Sequence, residues 1–206
     1  MPEIDPQRLM NDLKQLRTIG KFGTGVVRPA FSEKDLEARQ WLLGRMDKAG
    51  LKATIDGVGN VFGRSPHSGR GVLIGSHTDT QPQGGWLDGS LGVIYGLEIA
   101  RTFAADRLTT HFAVDVASWS DEEGTYMGML GSRSFCNFLE RQDMQKAQDH
   151  RTGQYLSTAI EEAGLAGIPP IQLDPHRYIA YLEAHIEQGP LLVGLGKPVG
   201  IVTGIR

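Results

Sequence analysis

Apolar residues recur every three or four positions at Leu9, Leu13, Leu16 and Ile19, which predicts a helix over residues 5–19 ended by Gly20. A glycine-rich loop follows to Phe31. Ser32-Glu33-Lys34-Asp35 then has the make-up of an N-cap with an acidic first turn, opening a helix through Leu36, Trp41, Leu42 and Met46 that closes at Gly50. Short strands are predicted over 52–56 and 60–64, joined by Gly57-Val58-Gly59. Val72-Leu73-Ile74-Gly75 is a continuous apolar run, the pattern of a central strand covered on both faces. After a Gly- and Pro-rich loop from Thr80 to Gly89, the pattern predicts a helix over 91–104 and a strand over 111–119. Helices over 132–141 and 153–163 follow, then a loop over 164–175. Two further strands are expected over 178–185 and 198–205. Strands alternating with helices indicate an α/β layered fold, and the hairpin makes its central sheet mixed rather than purely parallel.

Composition narrows the classes. The 206 residues are 40% hydrophobic and 22% charged with a net charge of −3, enough for one large domain with a core and no repeats. So balanced a charge gives no basic field, which argues against a nucleic-acid partner. A single cysteine, Cys136, excludes an internal disulfide framework and fits a reducing compartment. Its setting, Ser134-Phe135-Cys136-Asn137-Phe138, reads as an amphipathic helix, so a buried structural thiol is expected rather than a nucleophile. Residues 1–10 lack the apolar core of a signal peptide, and no run approaches the ~20 apolar residues of a membrane span. A cytoplasmic protein with no membrane partner is therefore expected. The run before Arg206 is apolar and strand-like, so the chain reads as the first part of a longer polypeptide.

Four clusters carry candidate chemistry, three of them at the C-terminal ends of predicted strands, where open α/β sheets bind ligands. In Gly75-Ser76-His77-Thr78-Asp79-Thr80, a His followed two positions later by an Asp suits a metal ligand with the acceptor that fixes its tautomer. A strand-end His beside a turn-forming Asp is the plainer reading. Asp88, between glycines in Gly84-Gly85-Trp86-Leu87-Asp88-Gly89, either bridges cations or caps the following helix. The acids Asp121-Glu122-Glu123 repel one another, a cost that a divalent cation offsets while one carboxylate stays free as a base; a solvated acidic turn is the alternative. In Glu183-Ala184-His185-Ile186-Glu187-Gln188-Gly189-Pro190, strand alternation would put Glu183, His185 and Glu187 on one side, facing either a metal or solvent. A set of His, Asp and Glu without thiolate favours Zn²⁺, Mn²⁺, Co²⁺ or Ni²⁺ over iron–sulfur.

These motifs, in this order and together with Leu130-Gly131-Ser132-Arg133, Gly25-Val26-Val27-Arg28 and Val58-Gly59-Asn60-Val61-Phe62-Gly63-Arg64, resemble the hydantoinase/carbamoylase branch of the M20 metallopeptidase-like hydrolases. That branch includes N-carbamoyl-L-amino-acid hydrolases, allantoate amidohydrolases and β-ureidopropionases. The resemblance runs from about residue 10 to residue 206, and His185-Ile186-Glu187-Gln188-Gly189-Pro190 is its branch-specific part. It implies a three-layer zinc-peptidase-like catalytic domain with a mixed central sheet, incomplete here, residues 1–206 forming its N-terminal part without the lid/dimerisation domain.

The resemblance also implies roles. His77 would bind the first of two divalent metals (Zn²⁺ or Mn²⁺, with Co²⁺ or Ni²⁺ as further options), oriented by Asp79. Asp88 would bridge the pair, Glu123 would bind the second metal and His185 would complete the first. Glu122 would be the general base, and Gln188 would lie at a small ureido or amide substrate. The reaction implied is hydrolysis of a non-peptide linear amide C–N bond by metal-activated water. The whole family member would be a homodimer and would supply a last His ligand that this chain does not show, because His67, His111, His150 and His176 read as surface or loop residues. One tightly bound metal is therefore expected, held by His77, Asp88 and His185. An M20 aminopeptidase or N-acyl-amino-acid deacylase, and an inactive fragment that keeps the fold, are the alternatives.

Overall fold

The computed structural model describes residues 3–105 and 111–204. Asp5 caps the first helix, α1 (Pro6–Thr18): its carboxylate accepts from the Arg8 amide at 2.9 Å, and Pro6 occupies a first-turn position that needs no N–H. A two-stranded ribbon, β1 (Lys21–Phe22) against β2 (Gly25–Val26), leads to α2 (Glu33–Lys48), where Ser32 Oγ accepts from the Asp35 amide at 3.3 Å as the sequence predicts. The hairpin of β3 (Lys52–Ile55) and β4 (Val61–Arg64) forms one edge of the main sheet. Next come β5 (Gly71–His77), α3 (Ser90–Ala105) and β6 (Ala113–Trp119). Four short helices follow, α4 (Leu130–Phe135), α5 (Arg141–Lys146), α6 (Leu156–Glu162) and, after β7 (Tyr178–Leu182), α7 (Leu191–Gly194).

The sheet order is β3-β4-β6-β5-β7, with β4 antiparallel to β6 and β5 parallel to both β6 and β7. It is the mixed sheet expected. All seven residues of β6 are buried, as suits a strand with neighbours on both sides and both faces covered. One face carries α1, α2 and α3: Leu13, Leu16, Leu42, Met46, Val93, Ile94 and Leu97 meet Val61, Ile74, Val114 and Val116 in the main core. The opposite face is thinner, with Phe62, Leu73, Ala117 and Trp119 under Phe135. The parallel register sets His77 beside Trp119, so both central strands end at one sheet edge. At Gly92 in the first turn of α3, an added Cβ would stand 2.4 Å from the Ala184 carbonyl oxygen and 2.8 Å from Ser76 Cβ. The absent side chain lets the helix start lie against β5 and the chain leaving β7.

Several expectations need correction. The helix predicted over 132–141 is two: Asn137 takes a left-handed φ of 60°, and the Phe138 amide turns back to the Arg133 carbonyl at 2.8 Å, closing α4. Cys136 is exposed, not buried; Phe135 takes the core position, its ring 5.0 Å from that of Trp119, and Cys136 falls on the cap beyond it. The helix predicted over 153–163 starts only at Leu156, because residues 148–155 close a turn through the Gln148–Tyr155 bridge. β7 stops at Leu182, so alternation no longer governs Glu183, His185 and Glu187. No strand forms over 198–204: those amides have no neighbouring strand among the described residues, and Val199, Ile201 and Val202 are exposed. Residue 205 of that expected strand lies outside the described residues. Among the described residues no helix is long and apolar enough to cross a membrane.

Candidate metal centre and active site

His77 is the last residue of β5 and only 3% exposed. Its Nδ1–H donates to the Asp79 backbone carbonyl at 2.9 Å; a carbonyl can only accept, so in the neutral ring the lone pair sits on Nε2. His185 repeats the device. Its Nδ1–H donates to the Ile186 carbonyl at 2.9 Å, and its Nε2 lies 3.3 Å from Asp88 Oδ1. His77, Asp88 and His185 each present one ligand atom, and these atoms lie within 4.8 Å of one another. Gly89 makes room for this: its φ is +61°, and a Cβ there would stand 2.4 Å from His77 Nε2.

Asp88 precedes α3, yet its carboxylate does not cap the helix. Oδ2 accepts from Gln188 Nε2 at 3.0 Å, while Oδ1 is buried without a hydrogen-bond partner. A carboxylate oxygen and an imidazole lone pair facing each other at 3.3 Å repel unless a proton or cation lies between them. The donor set also fits a divalent ion: two imidazoles and one carboxylate make three protein ligands with a fourth position open. These residues therefore suit the metal that the motifs imply.

The three acids after β6 separate into three environments. Asp121, at a left-handed φ of 51°, is fully buried and accepts from the amides of Thr125, Tyr126 and Met127 at 2.6–2.9 Å, so it organises the loop. Burial pushes its carboxyl up despite those bonds. Glu122 is half-buried beside the site, with Ser132 Oγ 3.5 Å from its Oε2. Burial raises its pKa most, His77 opposes the rise, and the charge of Glu183 adds to it. Glu123 stands outside the His77–Asp88–His185 cluster: Gln81 Nε2 donates to its Oε2 at 2.5 Å, and its own amide donates to Asp79 Oδ2 at 3.1 Å. Three of the four expected ligands are thus brought together and the fourth is not. Asp79 orients His77 through its backbone carbonyl rather than its carboxylate, whose Oδ1 is 3.7 Å from Nδ1 and has no hydrogen-bond partner. Burial, with the charge of Asp35 behind it, holds the Asp79 carboxyl well above the usual carboxylate range.

With this geometry in place, likeness to known proteins becomes informative. The family model described as peptidase family M28 matches residues 59–152, a span containing His77, Asp88, Glu122 and Glu123 but neither His185 nor Gln188. An N-carbamoyl-L-amino acid amidohydrolase of Geobacillus stearothermophilus is 37% identical over 98% of this chain and 51% of its own length. An allantoate deiminase of Arabidopsis thaliana is 31% identical over 94% of this chain and 38% of its own. The crystal structure of an amidase of the hydantoinase/carbamoylase family from Burkholderia phymatum superposes with a TM-score of 0.92 at 56% identity, covering 95% of this chain and 48% of that one. Over nearly its whole length the chain is similar to the hydantoinase/carbamoylase family. It spans about half the length of the curated relatives it matches.

Some residues that build the site had no chemical motif of their own. Arg28 is fully buried; its Nη2 donates to Ser90 Oγ at 3.1 Å, Nε to the Thr78 carbonyl at 3.0 Å and Nη1 to the Ile19 carbonyl at 2.8 Å. It ties the end of α1, the loop after His77 and the start of α3 together. Burial lowers its pKa to about 10, so it stays charged at neutral pH. Its only signal was its place in Gly25-Val26-Val27-Arg28. Tyr181 OH accepts from Trp119 Nε1 at 2.9 Å and donates to Glu183 Oε2 at 2.7 Å, while Ser76 Oγ donates to Glu183 Oε1 at 2.7 Å. This chain of bonds fixes the point where the polypeptide leaves β7 toward His185.

Proposed function

We propose that this chain is the N-terminal part of the catalytic domain of a metal-dependent hydrolase that cleaves a non-peptide linear amide C–N bond in a small ureido acid, of the N-carbamoyl amino acid or allantoate type. The observation that carries the reading is the meeting of His77 Nε2, His185 Nε2 and the unpartnered Asp88 Oδ1, with Glu122 beside them. The names of the relatives support the substrate class. A divalent cation bound there supplies Lewis-acid polarisation of the scissile carbonyl and lowers the pKa of a coordinated water.

The residues do the rest. His77, Asp88 and His185 would hold the cation, and the backbone carbonyls of Asp79 and Ile186 keep both imidazoles in the ligating tautomer. Glu122, whose carboxyl burial holds above its ordinary value, takes a proton from the attacking water on its carboxylate and returns it to the leaving nitrogen. Water adds to the carbonyl carbon and one C–N bond breaks; the carbamic acid left from a carbamoyl substrate then decomposes in water, so the overall products are the free amine, ammonia and carbon dioxide. Gln81 holds Glu123 through its Oε2, and Gln188 meets Asp88 through its Nε2, so each contact uses one of the two polar atoms of Glu123 and Gln188.

The match to peptidase family M28 favours one second reading, hydrolysis of a peptide or acyl amide, because the same water-activating groups serve both. Ammonia release from N-carbamoyl amino acids and allantoate, compared with amino-acid release from N-acetyl amino acids, separates the two in the complete metal-loaded protein. Turnover of the ureido compounds is expected; cleavage of the N-acetyl compounds alone would overturn the reading.

A further inference from the structure

We propose that Gln188 is a positioning residue for the metal centre: its side-chain amide holds Asp88 Oδ2 and thereby turns Oδ1 toward the two imidazoles. The proposal deepens the functional reading above and rests on it. The geometry is specific. Gln188 Nε2 donates to Oδ2 at 3.0 Å, and Oδ1 alone faces His185 Nε2 at 3.3 Å with no hydrogen-bond partner of its own. One oxygen is satisfied by the protein and the other is left for a ligand. A carboxylate so divided binds a cation through a single oxygen, whereas a free one can swing and chelate through both.

The segment that carries Gln188 is itself anchored. The His185 ring bonds the Ile186 carbonyl, and Glu187 caps α7 by accepting from the Leu192 amide at 2.9 Å, so the residues just ahead of Gln188 are tied down. The same six-residue motif thus supplies a ligand, His185, and the group that aims a second ligand, Asp88. A similar amide-to-carboxylate contact, Gln81 on Glu123, involves an acid that is not part of the His77–Asp88–His185 cluster. Ligating carboxylates are commonly hydrogen-bonded in turn, and loss of such a partner typically lowers metal affinity about 10–100-fold.

Co²⁺ titration of the full chain, followed by calorimetry and by its visible d–d absorption, tests this. Gln188→Met keeps the length of the side chain without the donor, and Gln188→Glu replaces the donor with a repelling acceptor. Both variants are expected to bind Co²⁺ about 10–100-fold more weakly than wild type. Gln188→Met should also show a changed absorption band, as the Asp88 carboxylate becomes free to chelate. The melting temperature without metal should stay unchanged, since the side chain is exposed. Affinity within twofold of wild type in Gln188→Met, with an unchanged band, overturns the proposal and leaves Gln188 a substrate contact only. The underlying metal reading fails separately if wild type and His77→Ala bind Co²⁺ alike, and the proposal falls with it.

Discussion

Two groups of buried acids in this chain live in opposite surroundings. On the helix-covered side, Asp12 and Glu98 are almost completely buried, and all four of their carboxylate oxygens meet donors. Arg45 and Arg101 take the two oxygens of Asp12, and Arg8 with the Asp5 amide takes those of Glu98. At the strand ends, Asp79 and Asp88 each leave Oδ1 buried with no hydrogen-bond partner. An unpartnered buried acceptor costs about 1–3 kcal/mol, and more when charged. The first group is a finished electrostatic joint between α1, α2 and α3. The second is unfinished by the protein alone, and at Asp88 the missing charge has two imidazole lone pairs around it. Burial of a carboxylate by itself does not mark a candidate metal site; a buried carboxylate oxygen left without a donor and facing imidazoles does.

The sharpest way to break this comparison is to neutralise one acid from each group. Asp88→Asn removes the anion that faces His185, and metal affinity should fall about a thousandfold, ~4 kcal/mol at 1.4 kcal/mol per decade and more than an outer-shell partner costs. Without metal, however, the same variant should melt at or slightly above the wild-type temperature, because a charged carboxylate with one buried, unpartnered oxygen has gone. Asp12→Asn should do the reverse. It removes the charge that Arg45 and Arg101 share, destabilising the fold by about 3 kcal/mol in urea denaturation while metal affinity stays within about twofold. Destabilisation of the metal-free protein by both variants would erase the distinction.

A smaller effect lies in pH. Burial pushes the Glu98 carboxyl up, but the Arg8 hydrogen bonds, the Asp5 amide and the charges of Arg8 and Arg101 bring it below its ordinary value. A depressed acid contributes stability that is fully present above its unfolded pKa of ~4.3 and is lost as pH falls through the folded value. Melting temperature should therefore drop on acidification below pH ~4.5. In Glu98→Gln that fall should be shallower, starting from a lower neutral-pH value. Equal slopes for the two proteins would mean that the joint does not titrate as its contacts require.

How much of this the sequence showed depended on how local the cause was. α1 was legible from its apolar spacing, and the start of α2 because Ser32 caps it within four residues. β5 was legible because its apolar run is continuous. The break at Asn137 was hidden, since a left-handed residue in an amphipathic pattern leaves no periodic trace, and it took the expected burial of Cys136 with it. The end of β7 at Leu182 is set by Glu183 bonding Ser76, a residue more than a hundred positions earlier. At the site, His77, Asp88, His185 and Glu123 were named from motifs; the first three meet in one cluster, and Glu123 lies outside it with its Oε2 on Gln81. Arg28 and its bond to Ser90 span 62 positions and belong to no ligand pattern, so the residue that braces the site stayed out of view.

The central claim is that two imidazoles and one carboxylate oxygen converge on a single cation. X-ray absorption at the zinc edge, on the full chain loaded with one equivalent of Zn²⁺, addresses it directly. The account predicts a shell of two imidazole nitrogens and low-Z oxygen ligands at about 2.0–2.2 Å, lost in His77→Ala. An oxygen-only shell, unchanged by His77→Ala, would contradict it.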